Sequence, residues 1–160
     1  MIKTLLILCS LLVHLPLSAK VLGTKDILKL KPGESFVEAK KKVAGLKMTD
    51  TLKGASYEIE SENNLITSIQ IDFNLPVNSE EFVSKDTKGF CLSQSMGPDM
   101  PMNRTFFFDL KTQRRYELTP KGQIKSILIQ DIPGARTNRE CQFGEALLKV
   151  PESETIKSVK

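Results

Sequence analysis

The sequence predicts an α+β protein, an antiparallel sheet with helices on one face, built as two tandem helix-plus-sheet units. Three observations predict it. The stretch ITSIQI at 66–71 returns as IKSILI at 124–129, each time after a short polar turn, and such an echo suggests one supersecondary unit used twice. Polar and apolar residues alternate through 56–60 and 65–73, the pattern of strands covered on one side only. Between 35 and 44 the apolar spacing is helical instead.

The first nineteen residues read as a secretory signal. Lys3 supplies a basic start, the apolar run from Thr4 to Val13 is shorter than the roughly 20 residues a spanning helix needs, and Pro16 to Ala19 supply a break and small residues. Cleavage after Ala19 leaves about 140 residues, enough for one compact domain. It also takes Lys3, leaving 22 basic against 19 acidic residues, a balance of +3. These charges are interspersed, so neither nucleic acid nor stable membrane insertion is indicated. Cleavage removes His14, the only histidine, and with it catalysis by Ser-His-Asp or Cys-His and the usual zinc sites. Two mature cysteines remain, Cys91 and Cys141, and in an exported chain an even pair implies a disulfide.

The domain spans 20–150, with units at about 24–75 and 78–150, and 151–160 form a polar, frayed tail. Lys31 to Ser35 make a turn that opens the first helix, with Glu34 and Glu38 near its positive end and Gly45 as its stop. A turn at 61–64 separates the first two strands, and Pro76 closes the run. Asn78 starts the second unit, with a short helix expected around Phe90 to Met96. Strands follow at 104–110, 114–118 and 124–131, with Thr119-Pro120-Lys121-Gly122 as a tight turn. A last short strand is expected within 141–150.

The helix opening "KPGESFVEAKKKV" and the strands ending "NNLITSIQIDF" resemble the helix-then-sheet unit of the beta-lactamase inhibitor protein (BLIP) fold. The outer-membrane assembly lipoprotein family of BamE (SmpA/OmlA) shares that broad shape. "PKGQIKSILI" is similar to the closing hairpin of such units, and "LSQSMGPDMP" to the element that follows their helices. The chain departs from the pattern in two ways: it has no lipidation cysteine at the signal's end, and no glycine-proline follows its first helix. The resemblance implies two small halves joined around 74–80, with an open sheet face that binds another protein.

Alternation assigns Leu65, Ile69, Ile71, Phe73, Phe106 and Phe108 to the core, together with Tyr116, Leu118, Ile127 and Ile129. It places Ile66, Phe107, Ile124 and Leu128 on the opposite face among Ser68, Gln70, Asp109 and Arg115. Large apolar residues amid polar ones on a sheet face form a recognition surface. Three other chemistries are weaker. Met96, Met100 and Met102 are soft ligands, but a methionine-padded loop is the simpler reading without histidine or free cysteine nearby. Glu58, Glu60 and Asp72 share one side of a hairpin and would supply the paired carboxylates of glycoside hydrolysis, yet surface strands commonly carry such charges. Arg104, Arg114, Arg115, Arg136 and Arg139 read as solvated loop positions rather than an anion site.

The function expected is therefore an exported, non-catalytic protein-binding module, acting as an inhibitor, immunity factor or envelope-assembly accessory, with no cofactor. Its partner would be another envelope or secreted protein. The alternative is a small ligand or lipid held in a groove between helices and sheet.

Overall fold

The computed structural model describes residues 22–95, 103–131 and 139–148. Strands dominate. β1 (Thr49–Leu52), β2 (Ala55–Glu62), β3 (Leu65–Val77), β4 (Lys88–Ser95), β5 (Asn103–Asp109), β6 (Arg114–Leu118), β7 (Ile124–Gln130) and β8 (Arg139–Gln142) form one antiparallel sheet. Their order across it is β1-β2-β3-β7-β6-β5-β4-β8. The described helices are short: α1 (Thr24–Ile27), α2 (Phe36–Lys42) and α3 (Phe143–Leu148), with a 3-10 turn at Ser79–Glu81. The chain is thus mostly β.

α2 forms where the spacing placed it. The Ser35 hydroxyl caps its start by accepting from the Val37 amide at 3.2 Å. Gly45, at φ +81°, turns the chain away after it. The second unit is different. Only the 3-10 turn stands where its helix would begin, and the segment expected to be helical from Phe90 is strand β4. Phe90 and Leu92 alternate with Cys91, which is strand periodicity. The end of the chain differs in the opposite sense, because residues 143–148 are helical rather than extended. β3 also runs through Pro76 to Val77, where it has passed the end of β2.

The two echo strands are neighbours at the middle of the sheet. Ile69 pairs with Ile129, Ile71 with Ile127, and Gln70 with Leu128. Gln70 and Leu128 are equivalent positions of the echo, so an approximate two-fold axis passes between them. It relates the hairpin β2–β3 to the hairpin β6–β7. Both hairpins carry a bulge at the same place. Glu60 pairs with Ser68 and Ser61 with Ile66, leaving Thr67 extra; Glu117 pairs with Ser126 and Leu118 with Ile124, leaving Lys125 extra. A bulge shifts the alternation by one. The first and fourth residues of each echo then face the same way.

That is why Ile66 and Ile124 point inward, against the expectation from strict alternation. They are 1% and 0% exposed, in one cluster with Ile69, Ile71, Ile127 and Ile129. Phe107 is also core, at 0% exposure. It lies directly opposite Tyr116 on β6, and Tyr116 lies opposite Ile127. Three successive phenylalanines give β5 no alternation of its own, and the pairing with β6 decides its faces. Phe106 and Phe108 therefore share the opposite face; Phe106 is buried there at 6% exposure, while Phe108, which the pattern put in the core, is half-buried. Leu65, also assigned to the core, is 47% exposed.

Ile27, Ala39, Val43, Leu46 and Phe143 from the helical segments join the inner cluster. Phe107 packs edge-on to Phe143 with centroids 5.0 Å apart, and Tyr116 closes the trio at 6.2 Å from Phe143. At the rim of the sheet Cys91 and Cys141 form the expected disulfide, with Cα atoms 6.0 Å apart, and tie β8 to β4. Residues 1–21, expected to hold a signal, the methionine cluster, Arg136 and residues 149–160 lie outside the described residues.

Candidate protein-binding face

The outer face of the sheet is read through its ladder. One row of side chains crosses every strand, running Thr49, Glu58, Gln70, Leu128, Arg115, Phe108, Phe90 and Glu140, each directly opposite the next. Beside it, Leu92 lies opposite Phe106, which lies opposite Glu117. Among the described helical segments, Ile27, Ala39, Val43, Phe143 and Ala146 lie in the inner cluster, and Val37 is exposed.

It has two halves. On β4, β5 and β7, Phe90, Leu92, Phe108 and Leu128 are half-buried and Phe106 is buried. The Arg115 guanidinium lies over the Phe106 ring, 5.2 Å from its centroid. On β6, Glu117 lies 3.7 Å from Arg104 and 3.5 Å from Lys125, and accepts from the Ser126 hydroxyl at 3.2 Å. The other half, on β2 and β3, is polar. Glu60 accepts from the Ser68 hydroxyl at 2.6 Å, the two-fold counterpart of the Glu117–Ser126 bond, and Gln70 donates to Asp72 at 2.8 Å. Glu58, Glu60 and Asp72 thus share this face, as the hairpin pattern predicts.

Of the eight residues expected on a binding surface, Ser68, Gln70, Arg115 and Leu128 lie on the outer face, and three of them are consecutive in the cross-strand row. Ile66, Phe107 and Ile124 are in the core and are withdrawn from the site. Asp109 is 5% exposed and folds its own turn. Its Oδ1 accepts from the Lys111 amide at 2.9 Å, and its Oδ2 accepts from the Thr112 hydroxyl at 2.6 Å. Alternation put Phe106 and Phe108 on the other face, which pairing Phe107 with Tyr116 corrects, and Phe90 and Leu92 lie in the segment expected to be helical.

A second feature lies at the end of the sheet where the turns 61–64 and 110–113 meet residues 28–33. It is a cleft of about 800 Å³ with Leu28, Pro32, Leu65 and Ile66 in its walls. Lys31, Lys111 and Arg114 line it, as do Glu62 and Asp131. Arg114 is anchored there by donating from Nη2 to the Leu28 carbonyl at 2.7 Å. Behind it, burial pushes the Tyr116 hydroxyl above the usual tyrosine range, and the neighbouring Arg114 opposes that rise only in part.

Among the described residues no group of three or more His, Cys, Asp or Glu side chains could hold a metal ion, and no helix is long and apolar enough to cross a membrane. No protein-family model, curated protein or solved structure gives a significant match to this chain.

Proposed function

We propose that the protein is an exported, non-catalytic module that binds another protein through the outer face of its sheet. One observation carries the reading. Phe90, Phe108, Arg115 and Leu128 stand consecutively across four strands, on the side of the sheet away from the apolar cluster that the helical segments share. Aromatic residues and arginine at the centre of a flat, half-buried patch are the side chains that dominate protein recognition. An inhibitor, an immunity factor or an envelope-assembly accessory would use such a face. Export is supported by the apolar, proline-terminated leader and by the cysteine pair at disulfide distance.

On the same footing we read the architecture as two related helix-plus-sheet units with helices on one face, of the BLIP and BamE kind. The matched bulges of the two hairpins and the inward packing of Ala39 and Ala146 support this reading. The test is affinity capture from envelope extracts with the native chain and with Phe108→Asp and Arg115→Glu variants, each checked by circular dichroism. A partner retained by the native chain and lost from both folded variants supports the face. Retention by both removes it.

The alternative reading, a small-ligand site, is favoured by the cleft of about 800 Å³, which lies at the sheet's end rather than between helices and sheet. Leu28→Lys discriminates the two readings, since Leu28 lines the cleft and lies in none of the strands that build the outer face.

A further inference from the structure

The outer face is electrically divided, and the division names a partner. The outward positions Ser56, Glu58, Glu60, Ser68, Gln70 and Asp72 hold three carboxylates and no cation. Acidic residues elsewhere are matched to bases, as Asp26 is to Lys29, Glu34 to Lys42, Asp50 to Lys47 and Glu80 to Lys85, while others among the described residues, such as Glu81 and Asp86, stand singly. Glu58, Glu60 and Asp72 have no lysine or arginine within ion-pair distance among the described residues. They form an acidic field on a chain whose formal charge is +4. At the centre of the sheet the sign reverses, because Arg115, Arg104 and Lys125 outnumber Glu117. Beyond them the face is apolar, at Phe108 and Phe90.

Resting on the protein-binding reading above, we propose that the occupant of this face is a basic amphipathic helix. It lies across the strands with an apolar segment over β4–β5 and a Lys/Arg-rich segment over β2–β3. Three arguments select it. The backbone amides and carbonyls of the inner strands are already paired in the sheet, so an occupant must arrive with its own backbone satisfied, as a helix does. From β4 to β2 there are five strand-to-strand steps, about 24 Å, the length of roughly 16 helical residues. The positive centre repels the basic segment and the carboxylates attract it, which orients the helix. A second copy of this chain fits worse. Stacked face to face about a two-fold parallel to the strands, it would set carboxylates on Phe90 and Phe108. About a two-fold across the strands, it would set carboxylates on carboxylates.

The test uses the purified chain and two fluorescent 16-residue helical peptides with the same leucine-rich segment, one continued with lysines and one with glutamates. Anisotropy titrations are run with the native chain, with a Glu58→Gln/Glu60→Gln/Asp72→Asn triple variant, and with Phe108→Asp. The lysine peptide should bind the native chain, and the triple variant should weaken it by roughly tenfold, a difference that 0.5 M salt abolishes. Equal binding of the glutamate peptide, or an unchanged triple variant, overturns the basic helix. The protein-binding face itself survives that result if Phe108→Asp still weakens both peptides, and falls with it if Phe108→Asp does not. Failure of both peptides to bind, or self-association lost on Phe108→Asp, also overturns the helix as occupant.

Discussion

Phe107 and Phe108 are chemically identical neighbours with opposite roles, and the difference lies in what stands across from each. Phe107 faces Tyr116 and packs edge-on against Phe143 inside the core. Replacing it with alanine should cost about 3–5 kcal/mol in urea unfolding. Phe108→Ala should cost well under half of that, since its ring is only half-buried. Equal costs would show that both faces are packed alike. Thr105 gives a prediction of the other sign. It is 0% exposed and its hydroxyl has no hydrogen-bond partner. Thr105→Val keeps the shape and removes the unmet group, so stability should rise by about 1 kcal/mol, read as a higher denaturant midpoint at unchanged slope. Gly89 is needed where it stands, because a Cβ there would collide with the Phe108 carbonyl oxygen and the Phe107 ring. None of these three roles can be read from its own residue type. A phenylalanine, a threonine and a glycine in strands are each common, and the partner strand supplies the meaning.

Among the elements, the bulged hairpin is the unit that repeats. Its legible sign is the spacing of isoleucine at the first, fourth and sixth places of ITSIQI and IKSILI. Strict alternation would bury the second, fourth and sixth. Deleting Thr67 would remove the bulge and leave Ile66 and Ile69 two places apart on the same inner face, so the variant should keep cooperative unfolding by near-ultraviolet circular dichroism, whereas deleting Ser68 and Thr67 together would turn Ile66 outward and should abolish it. The second unit leads one to expect a short helix around Phe90 to Met96, although the polar, glycine-interrupted stretch 85–89 weakens a helix signal, and strand β4 stands there instead. A last short strand is expected within 141–150, but β8 ends at Gln142 and α3 follows, because a four-residue strand and a six-residue helix carry too few residues for periodicity to show. Their place is set by the disulfide and by Phe143. The crosslink spans 50 residues, so reduction should remove roughly 4 kcal/mol, measured as a drop in denaturation midpoint that Cys91→Ala reproduces.

At the scale of the whole molecule, one sheet separates a shared apolar interior from a divided outer face. The interior has a titration signature. Burial raises the Tyr116 hydroxyl above the ordinary value of about 10, with Arg114 opposing the rise. The folded chain therefore holds that proton where the unfolded chain releases it. The stabilisation is complete below about pH 10 and is lost as pH rises through the folded value. Tyr116→Phe, which cannot ionise, should show a shallower fall of stability above pH 10 than the native chain in parallel urea titrations. By itself the sequence determined the central isoleucine strands, the helix from Ser35 with its opening turn, the hairpin turns and the cysteine pair. Each of these rests on local spacing, on turn chemistry or on a count. Only the tertiary structure decided which way β5 faces, where the two bulges fall, and that the paired hairpins meet about a two-fold at Gln70 and Leu128. The physical reason is that a strand's two faces are exchanged by a shift of one residue, and that shift is set by hydrogen-bonded neighbours far away in sequence. The acidic and apolar halves of the outer face come together only once that register is fixed.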